Sequence, residues 1–401
     1  MRPFANATSM YLALFILLAL NGCKNDYPAG FYDANASYNP SPSITTILPA
    51  GIAFAGMDTV VIQGANFSPT LLENTVVFNA QPATLLTSTP TQITLQAPLV
   101  LGDSIGVRVE VRGALQISNT MVYKMKAGVA PFGNLAGTEL STSVAVDATG
   151  NLYSAYSNGS ADAGILKFTA AGTRSTYALQ TAGVIQWTGL KMGPAGYLYS
   201  ARNFRAIYRF VPGGGAASAL WLAFPLGTSI ADFDFDKDGN CWAGGNNSTI
   251  YKIDQNKVIT TFPFVGNVHS LRVYNGYLYF SAKVDASEKI WRAPLSSGSI
   301  GTPEVYFDFS SAYPGNVPLS VTFSSDGLLY IGTDSKDGLV VVSPTKTYSA
   351  PFAYYSASFG TGLYYLAWGA ADDLYCSTSN GILLKFTIRG KKSAPYYGST
   401  L

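Results

Sequence analysis

Val144-Ala-Val146-Asp147-Ala-Thr-Gly150-Asn151-Leu152-Tyr153 and Phe233-Asp-Phe235-Asp236-Lys-Asp-Gly239-Asn240-Cys241-Trp242 are two copies of one phrase. An apolar pair at alternate positions is followed by a polar turn, then Leu or a substitute, then an aromatic residue. Four further copies carry Leu190, Met192, Gly196, Leu198, Tyr199; Leu271, Val273, Gly276, Leu278, Tyr279; Val321, Phe323, Gly327, Leu329, Tyr330; and Leu366, Trp368, Asp372, Leu374, Tyr375. The terminal aromatic recurs at Tyr153, Tyr199, Trp242, Tyr279, Tyr330 and Tyr375, in steps of 37 to 51 residues. A period of this length marks an array of supersecondary units.

Each unit is a meander. Residues two apart leave a strand on one face, and the Gly-containing turn then reverses the chain. A second apolar run follows every copy, as at Ile165 to Phe168, Ile250 to Ile253 and Ile382 to Phe386. The spacing leaves room for a fourth strand, such as Ser175 to Leu179 or Val258 to Phe262. Small four-stranded sheets set around an axis form a β-propeller, which shelters strand edges by radial packing and ring closure. Six copies predict six blades over residues 138–401. Either Val129 to Leu135 or Lys391 to Tyr397 could complete the last one.

Composition agrees with an all-β chain. Gly 40, Tyr 26 and Phe 22 against 12% charged residues favour short strands, tight turns and aromatic packing, and 48% hydrophobic residues supply the cores. Lys and Arg total 25 against 23 Asp and Glu, which leaves no basic footprint for nucleic acid.

Asp147 to Tyr153 and Asp236 to Trp242 resemble the turn signature of NHL-type six-bladed propellers, and the likeness over about residues 130 to 401 extends to the gluconolactonase-like superfamily. It implies a fold and leaves function open, because such propellers serve as enzymes, binders and scaffolds.

Upstream, Arg2 and the apolar stretch Met10 to Leu20 have the build of a secretory signal, too short to span a bilayer comfortably. Leu20-Asn21-Gly22-Cys23 resembles a bacterial lipoprotein signal, which implies a signal peptide over 1–22 and acylation of Cys23. Cys23-Lys24-Asn25-Asp26 is similar to the export signals of Bacteroidetes surface lipoproteins. The resemblance implies a chain carried across the inner membrane and lipid-anchored at the outer membrane or cell surface, with the anchor as its sole membrane contact. Residues 23–42, rich in Asn, Ser, Pro and Ala, read as a flexible tether.

Residues 43–125 alternate inward apolar side chains in short strands, which predicts an immunoglobulin-like sandwich. Ile47-Leu48-Pro49, Gly64-Ala65-Asn66-Phe67, Asn74 to Phe78 and the alternating Val107, Val109, Val111 resemble an IPT/TIG domain. The resemblance implies a spacer or contact module in secreted proteins. Residues 126–137 read as a connector. Asp58-Thr59-Val60 and Asp103-Ser104-Ile105 resemble short O-glycosylation motifs of Bacteroidetes envelope proteins. With Cys23 lipidated, Cys241 and Cys376 fall in opposite blades, too far apart for a disulfide and expected as buried free thiols.

Chemistry is sparse. One histidine, His269, excludes a His-rich zinc site, and no nucleophile elbow, metalloprotease motif or phosphate loop is present. Asp234 to Gly239 matches the first half of a calcium loop, but Gly245 stands where the bidentate Glu belongs, so the acidic residues read as a blade turn.

Aligned on the apolar pair, Ser143, Gly189, Asp232, Ser270, Ser320 and Tyr365 share one position at the channel mouth. Thr142, Thr188, Ala231, His269, Leu319 and Tyr364 precede them, with Trp187 one step earlier. The opposite face of the innermost strands carries Lys191, Asp234 and Arg272 in three consecutive copies. One reading is a ligand site, with Trp187, Tyr364 and Tyr365 stacking on a flat face and Lys191, Asp232, Asp234, His269 and Arg272 bonding its polar groups. The other is an interblade salt bridge joining Asp234 to Lys191 and Arg272, with the aromatics as packing.

The gluconolactonase-like resemblance would imply a divalent metal held by Glu, Asn and Asp. No Glu is expected near any innermost strand, with Glu288 and Glu304 on later strands or loops, although Asp232 and Asp234 could hold calcium. The expected role is therefore non-catalytic binding of a glycan or protein ligand at the cell surface, without nucleic acid. A metal-dependent hydrolase and a protein–protein scaffold are the alternatives.

Overall fold

The computed structural model describes residues 37–159, 161–181, 186–202, 205–296 and 298–395. The expected signal peptide, Cys23 and most of the expected tether lie outside the described residues. Within them the chain is all-β, a sandwich followed by a six-bladed propeller, and no helix is long and apolar enough to cross a membrane.

The sandwich has two sheets. One contains Ser43–Leu48, Thr59–Ala65, Gln92–Gln96 and Thr84–Thr89; the other contains Ile52–Ala55, Met121–Ala127, Gly102–Val111, Asn74–Phe78 and Gln81–Pro82. Alternation puts Val60, Ile62, Ile93 and Leu95 opposite Val76, Phe78, Val107 and Val109 in one closed core.

The six repeats form six antiparallel blades, I to VI in chain order. Their innermost strands are Leu140–Val146, Trp187–Met192, Ile230–Phe235, Asn267–Tyr274, Pro318–Phe323 and Leu363–Trp368. The expected fourth strands appear in blade I as Arg174–Ala178 and in blade III as Ile259–Pro263.

The repeated phrase is an interlock between neighbours. Tyr153 of blade I packs with Leu190 of blade II, Tyr199 with Phe233 and Phe235, and Trp242 with Leu271. Tyr279 lies with Val321 and Phe323, Tyr330 with Leu366 and Trp368, and Tyr375 with Val144 and Val146, which returns to blade I. Each aromatic thus seals the apolar pair of the following blade.

The turn inside the phrase is held by its first Asp. Asp147 accepts the backbone N–H groups of Thr149 and Asn151, the Asn151 amide and the Tyr153 hydroxyl. Asp236 does the same for Asp238, Asn240 and the Trp242 indole N–H. Gly150 and Gly239 lie at φ +81° and +79°, the left-handed region that glycine enters at low cost.

The ring closes through the upstream segment. Val129–Pro131 pairs antiparallel with Leu384 to Phe386 and becomes the outer strand of blade VI. The stretch 126–137 is therefore not a free connector, because Met121–Ala127 ends a sandwich strand and the propeller begins at Val129. Pro131 fits there because an outer strand can spare one N–H. Among the described residues the downstream tail adds no strand to a blade and meets blade V through an isolated bridge, Ser393 with Ser324, and an ion pair, Lys391 with Asp326.

With Gly128 alone between the two strands, the sandwich is seated on blade VI. The Tyr355 hydroxyl accepts from Gly128 N at 2.8 Å and donates to Ala55 O at 2.6 Å. Arg389 lies 3.1 Å from Asp58, stacks over Phe54 at 5.0 Å and donates to Ile52 O. Cys241 and Cys376 are buried free thiols, and burial pushes both well above the ordinary thiol range.

Two outcomes are expected. Tyr330→Ala, which opens a cavity under Leu366 and Trp368, should cost about 3–5 kcal/mol in urea denaturation. Burial raises the Asp147 pKa, but donors from Asn151, Thr149 and Tyr153 outweigh it, so the folded carboxyl lies below its ordinary 3.8. Its stabilisation is therefore present above that value and is lost as pH falls through the folded pKa. Asp147→Asn should be clearly less stable than the natural protein at pH 7, with the gap narrowing in melts taken below about pH 4.

Candidate functional site

Every innermost strand shifts register just before its apolar pair, one residue later in blades II and VI than in the other four. The irregularities lie between Ser141 and Ser143, Thr188 and Leu190, Ile230 and Asp232, Val268 and Ser270, Pro318 and Ser320, and Tyr364 and Leu366. A bulge re-aims side chains, and the six together shape the mouth of the ring. Two need left-handed backbone, Gly189 at φ +58° and Tyr365 at φ +50°. A Cβ at Gly189 would lie 2.8 Å from Asp232 Oδ1, so the absence of a side chain there makes room for that carboxylate.

Below the mouth the channel is closed by paired charge. Arg272 donates to both oxygens of Asp234 at 3.1 and 2.9 Å, and Val273 N adds a third bond at 2.9 Å. Asp232 is fully buried and accepts from Ser270 Oγ at 2.8 Å, Leu271 N at 3.1 Å and Phe233 N at 2.9 Å, with Lys191 Nζ 3.5 Å away. Ser270 Oγ in turn accepts from Val321 N. This network joins blades II, III, IV and V. The interblade salt bridge expected at Asp234 is split between two carboxylates, Arg272 going to Asp234 and Lys191 to Asp232. The space enclosed by Ala145, Lys191, Asp234, Arg272, Thr322 and Ala367 is about 20 Å³, enough for roughly one water.

Asp232 and Asp234 do not fit a calcium site. Their oxygens are engaged by N–H and O–H donors, and a lysine and an arginine stand where a cation would sit. Among the described residues no group of three or more His, Cys, Asp or Glu is placed to hold a metal.

Above this belt, over blades VI, I and II, the mouth opens into a cavity. It measures about 490 Å³ and is lined by Ser141, Thr142, Thr188, Gln186, Tyr364 and Tyr365, with Ser157 and Ser377 to Ser379 from the second-strand ends. The two tyrosine rings are 6.2 Å apart and inclined at 37°. Burial raises both phenol pKa values; the negative charge of Asp232 adds to the effect at Tyr365 and that of Asp334 at Tyr364. Ser141 Oγ is tied to Ser154, whereas the hydroxyls of Thr142 and Ser143 are buried without a protein partner.

Of the residues expected at the ligand, only Tyr364 and Tyr365 line this cavity. Lys191, Asp234 and Arg272 face the narrow channel, and Asp232 is spent on the interblade network. Trp187 does not stack on a ligand face. It is buried between blades I and II, edge-on to Tyr208 at 5.3 Å and Phe210 at 5.5 Å, because its side chain leaves the strand toward the sheet interface.

His269 stands on blade IV with Nε2 2.9 Å from Glu288 Oε2. This corrects the expectation that no Glu comes near an innermost strand: a hairpin return brings Glu288 back beside it. Alignment of the repeats had already put Thr142 and Thr188 at the mouth, but Gln186 and the serines of the second-strand ends escaped sequence reasoning because they are uncharged and belong to no motif. Their one signal was position, at the ends of strands facing the mouth.

Removing one partner of the buried pair should be costly. Asp234→Ala, which strands the Arg272 charge, is expected to lose about 3–5 kcal/mol in urea denaturation.

Residues 42–125 match the family model of the IPT/TIG domain. No curated protein sequence matches the chain. Similar solved structures include an auxiliary nutrient binding protein from Bacteroides thetaiotaomicron VPI-5482, at 11% identity and TM-score 0.50, covering 88% of this chain and 99% of that one. Another Bacteroides thetaiotaomicron VPI-5482 protein, named for a suspected phosphatase activity, has 11% identity and TM-score 0.55 over 88% of this chain and 98% of its own. A luciferin-regenerating enzyme has 14% identity and TM-score 0.53, over 68% of this chain and 99% of its own. At such identities the likeness is one of fold and leaves function open.

Proposed function

We propose that this protein is a non-catalytic binding protein of the bacterial envelope that captures a small polar ligand, a glycan in kind, in the mouth cavity over blades VI, I and II. The observation that carries the reading is the cavity itself. Its volume of about 490 Å³ falls in the range of small-molecule sites, and its walls offer two aromatic rings with hydroxyl and amide groups. The histidine is paired with Glu288 on blade IV, away from the cavity, and Asp232 and Asp234 are engaged by Lys191 and Arg272. The likeness in fold to an auxiliary nutrient binding protein accords with this reading.

Anchoring through an acylated Cys23 completes the proposal. It would hold the domains at the outer membrane or cell surface, where a nutrient glycan is met.

Two measurements test it. In a thermal-shift screen of residues 24–401 against oligosaccharides, a ligand at 100 times its Kd should add about 2.7 kcal/mol of stability, a rise of several degrees. Tyr364→Ala should weaken that ligand tenfold or more, whereas Trp187→Phe should lower the melting temperature and leave affinity unchanged. Labelled palmitate should enter the natural chain in a lipoprotein-processing host and fail to enter Cys23→Ala; equal labelling would refute the anchor.

A further inference from the structure

The charge distribution around the mouth specifies what kind of glycan enters. Among the described residues that line the cavity none is charged: its polar groups are the hydroxyls of Thr142, Thr188, Tyr364, Tyr365 and several serines, and the amide of Gln186. The buried cations of the innermost strands are engaged below the floor, Lys191 of blade II with Asp232 and, across the ring, Arg272 of blade IV with Asp234. The Tyr365 phenol stands between cavity and belt, close enough to Asp232 to feel its negative charge.

An anionic ligand would thus exchange water for a site without a counter-cation and with a carboxylate beneath it. Burying an unpaired charge is far more costly than burying a hydroxyl that finds a partner. The site also holds unspent hydroxyl capacity. Thr142 lines the cavity with its Oγ1 turned into the wall, and Ser143 Oγ lies one residue deeper; both hydroxyls are buried with no partner in the protein. An unpartnered buried hydroxyl is destabilising until something bonds it. A group that both donates and accepts is its natural complement.

Resting on the binding reading above, we infer that the mouth selects an uncharged sugar, recognised through its hydroxyl groups, and rejects sugars that carry a carboxylate or sulfate. Hydroxyl-lined sites discriminate strongly, since a ligand lacking the matching group leaves the site's own hydroxyls unpaired.

The test is isothermal titration of residues 24–401 with pairs of oligosaccharides that differ only in charge, each neutral member set against its C6-oxidised uronate. The expected result is binding of a neutral member, with its uronate at least 100-fold weaker at 150 mM salt. Thr142→Val, close to Thr in shape and checked for folding by its melting curve, should weaken the neutral sugar about tenfold.

A uronate that binds as tightly as its neutral counterpart overturns this inference and leaves the binding reading standing. Neutral binding that is indifferent to Thr142→Val in a folded variant also overturns it, by placing the sugar elsewhere. If no member of either set binds, the glycan reading and the inference fail together.

Discussion

The propeller depends on one contact made six times, the aromatic that ends each phrase packed against the apolar pair that begins the next. A four-stranded blade has two apolar faces and cannot bury either alone. Setting Tyr330 against Trp368, with ring centroids 5.2 Å apart, or Tyr279 against Phe323 at 4.6 Å, lets each blade supply its neighbour's core. The Asp-Gly-Asn turn serves this contact. Asp147 and Asp236 bind both the turn amides and the aromatic's polar tip, so the same carboxylate shapes the turn and aims the ring.

Closure follows from the same need. The last blade lacks an outer strand until Val129–Pro131 arrives from the end of the sandwich, and the upstream domain therefore sits directly on blade VI. Tyr355 and Arg389 fix that junction by bonding the sandwich backbone at Ala55 and Ile52. The IPT/TIG domain is a seated module whose last strand runs on into the ring after a single residue.

At the axis the requirement is opposite in kind. Six strands that converge leave a narrow channel in which charges have little water, so each must find a partner. Arg272 with Asp234 and Lys191 with Asp232 meet that condition across blade boundaries and close the channel. Higher up, around Thr142, Tyr364 and Tyr365, stand polar groups that their neighbours do not consume. The division between a charged, spent belt and a neutral, open mouth gives the candidate site its character.

Much of this was legible in the chain. The spacing of the six aromatics determined the number of blades, because a strand's two-residue alternation and a Gly-bearing turn leave few other structures open, and the alternation over 43–125 determined the sandwich. The positions facing the axis were also readable from parity, since Lys191, Asp234 and Arg272 alternate with the apolar pair. What only the tertiary structure decided depends on contacts between distant segments. Trp187 was buried by its partner blade, not by its own sequence. Glu288 returned to His269 through a hairpin. Val129 closed a ring whose other end lies more than 250 residues away. The mouth itself is assembled from the strand ends of three blades, and such a site has no local signature because none of its residues is special until the ring has formed.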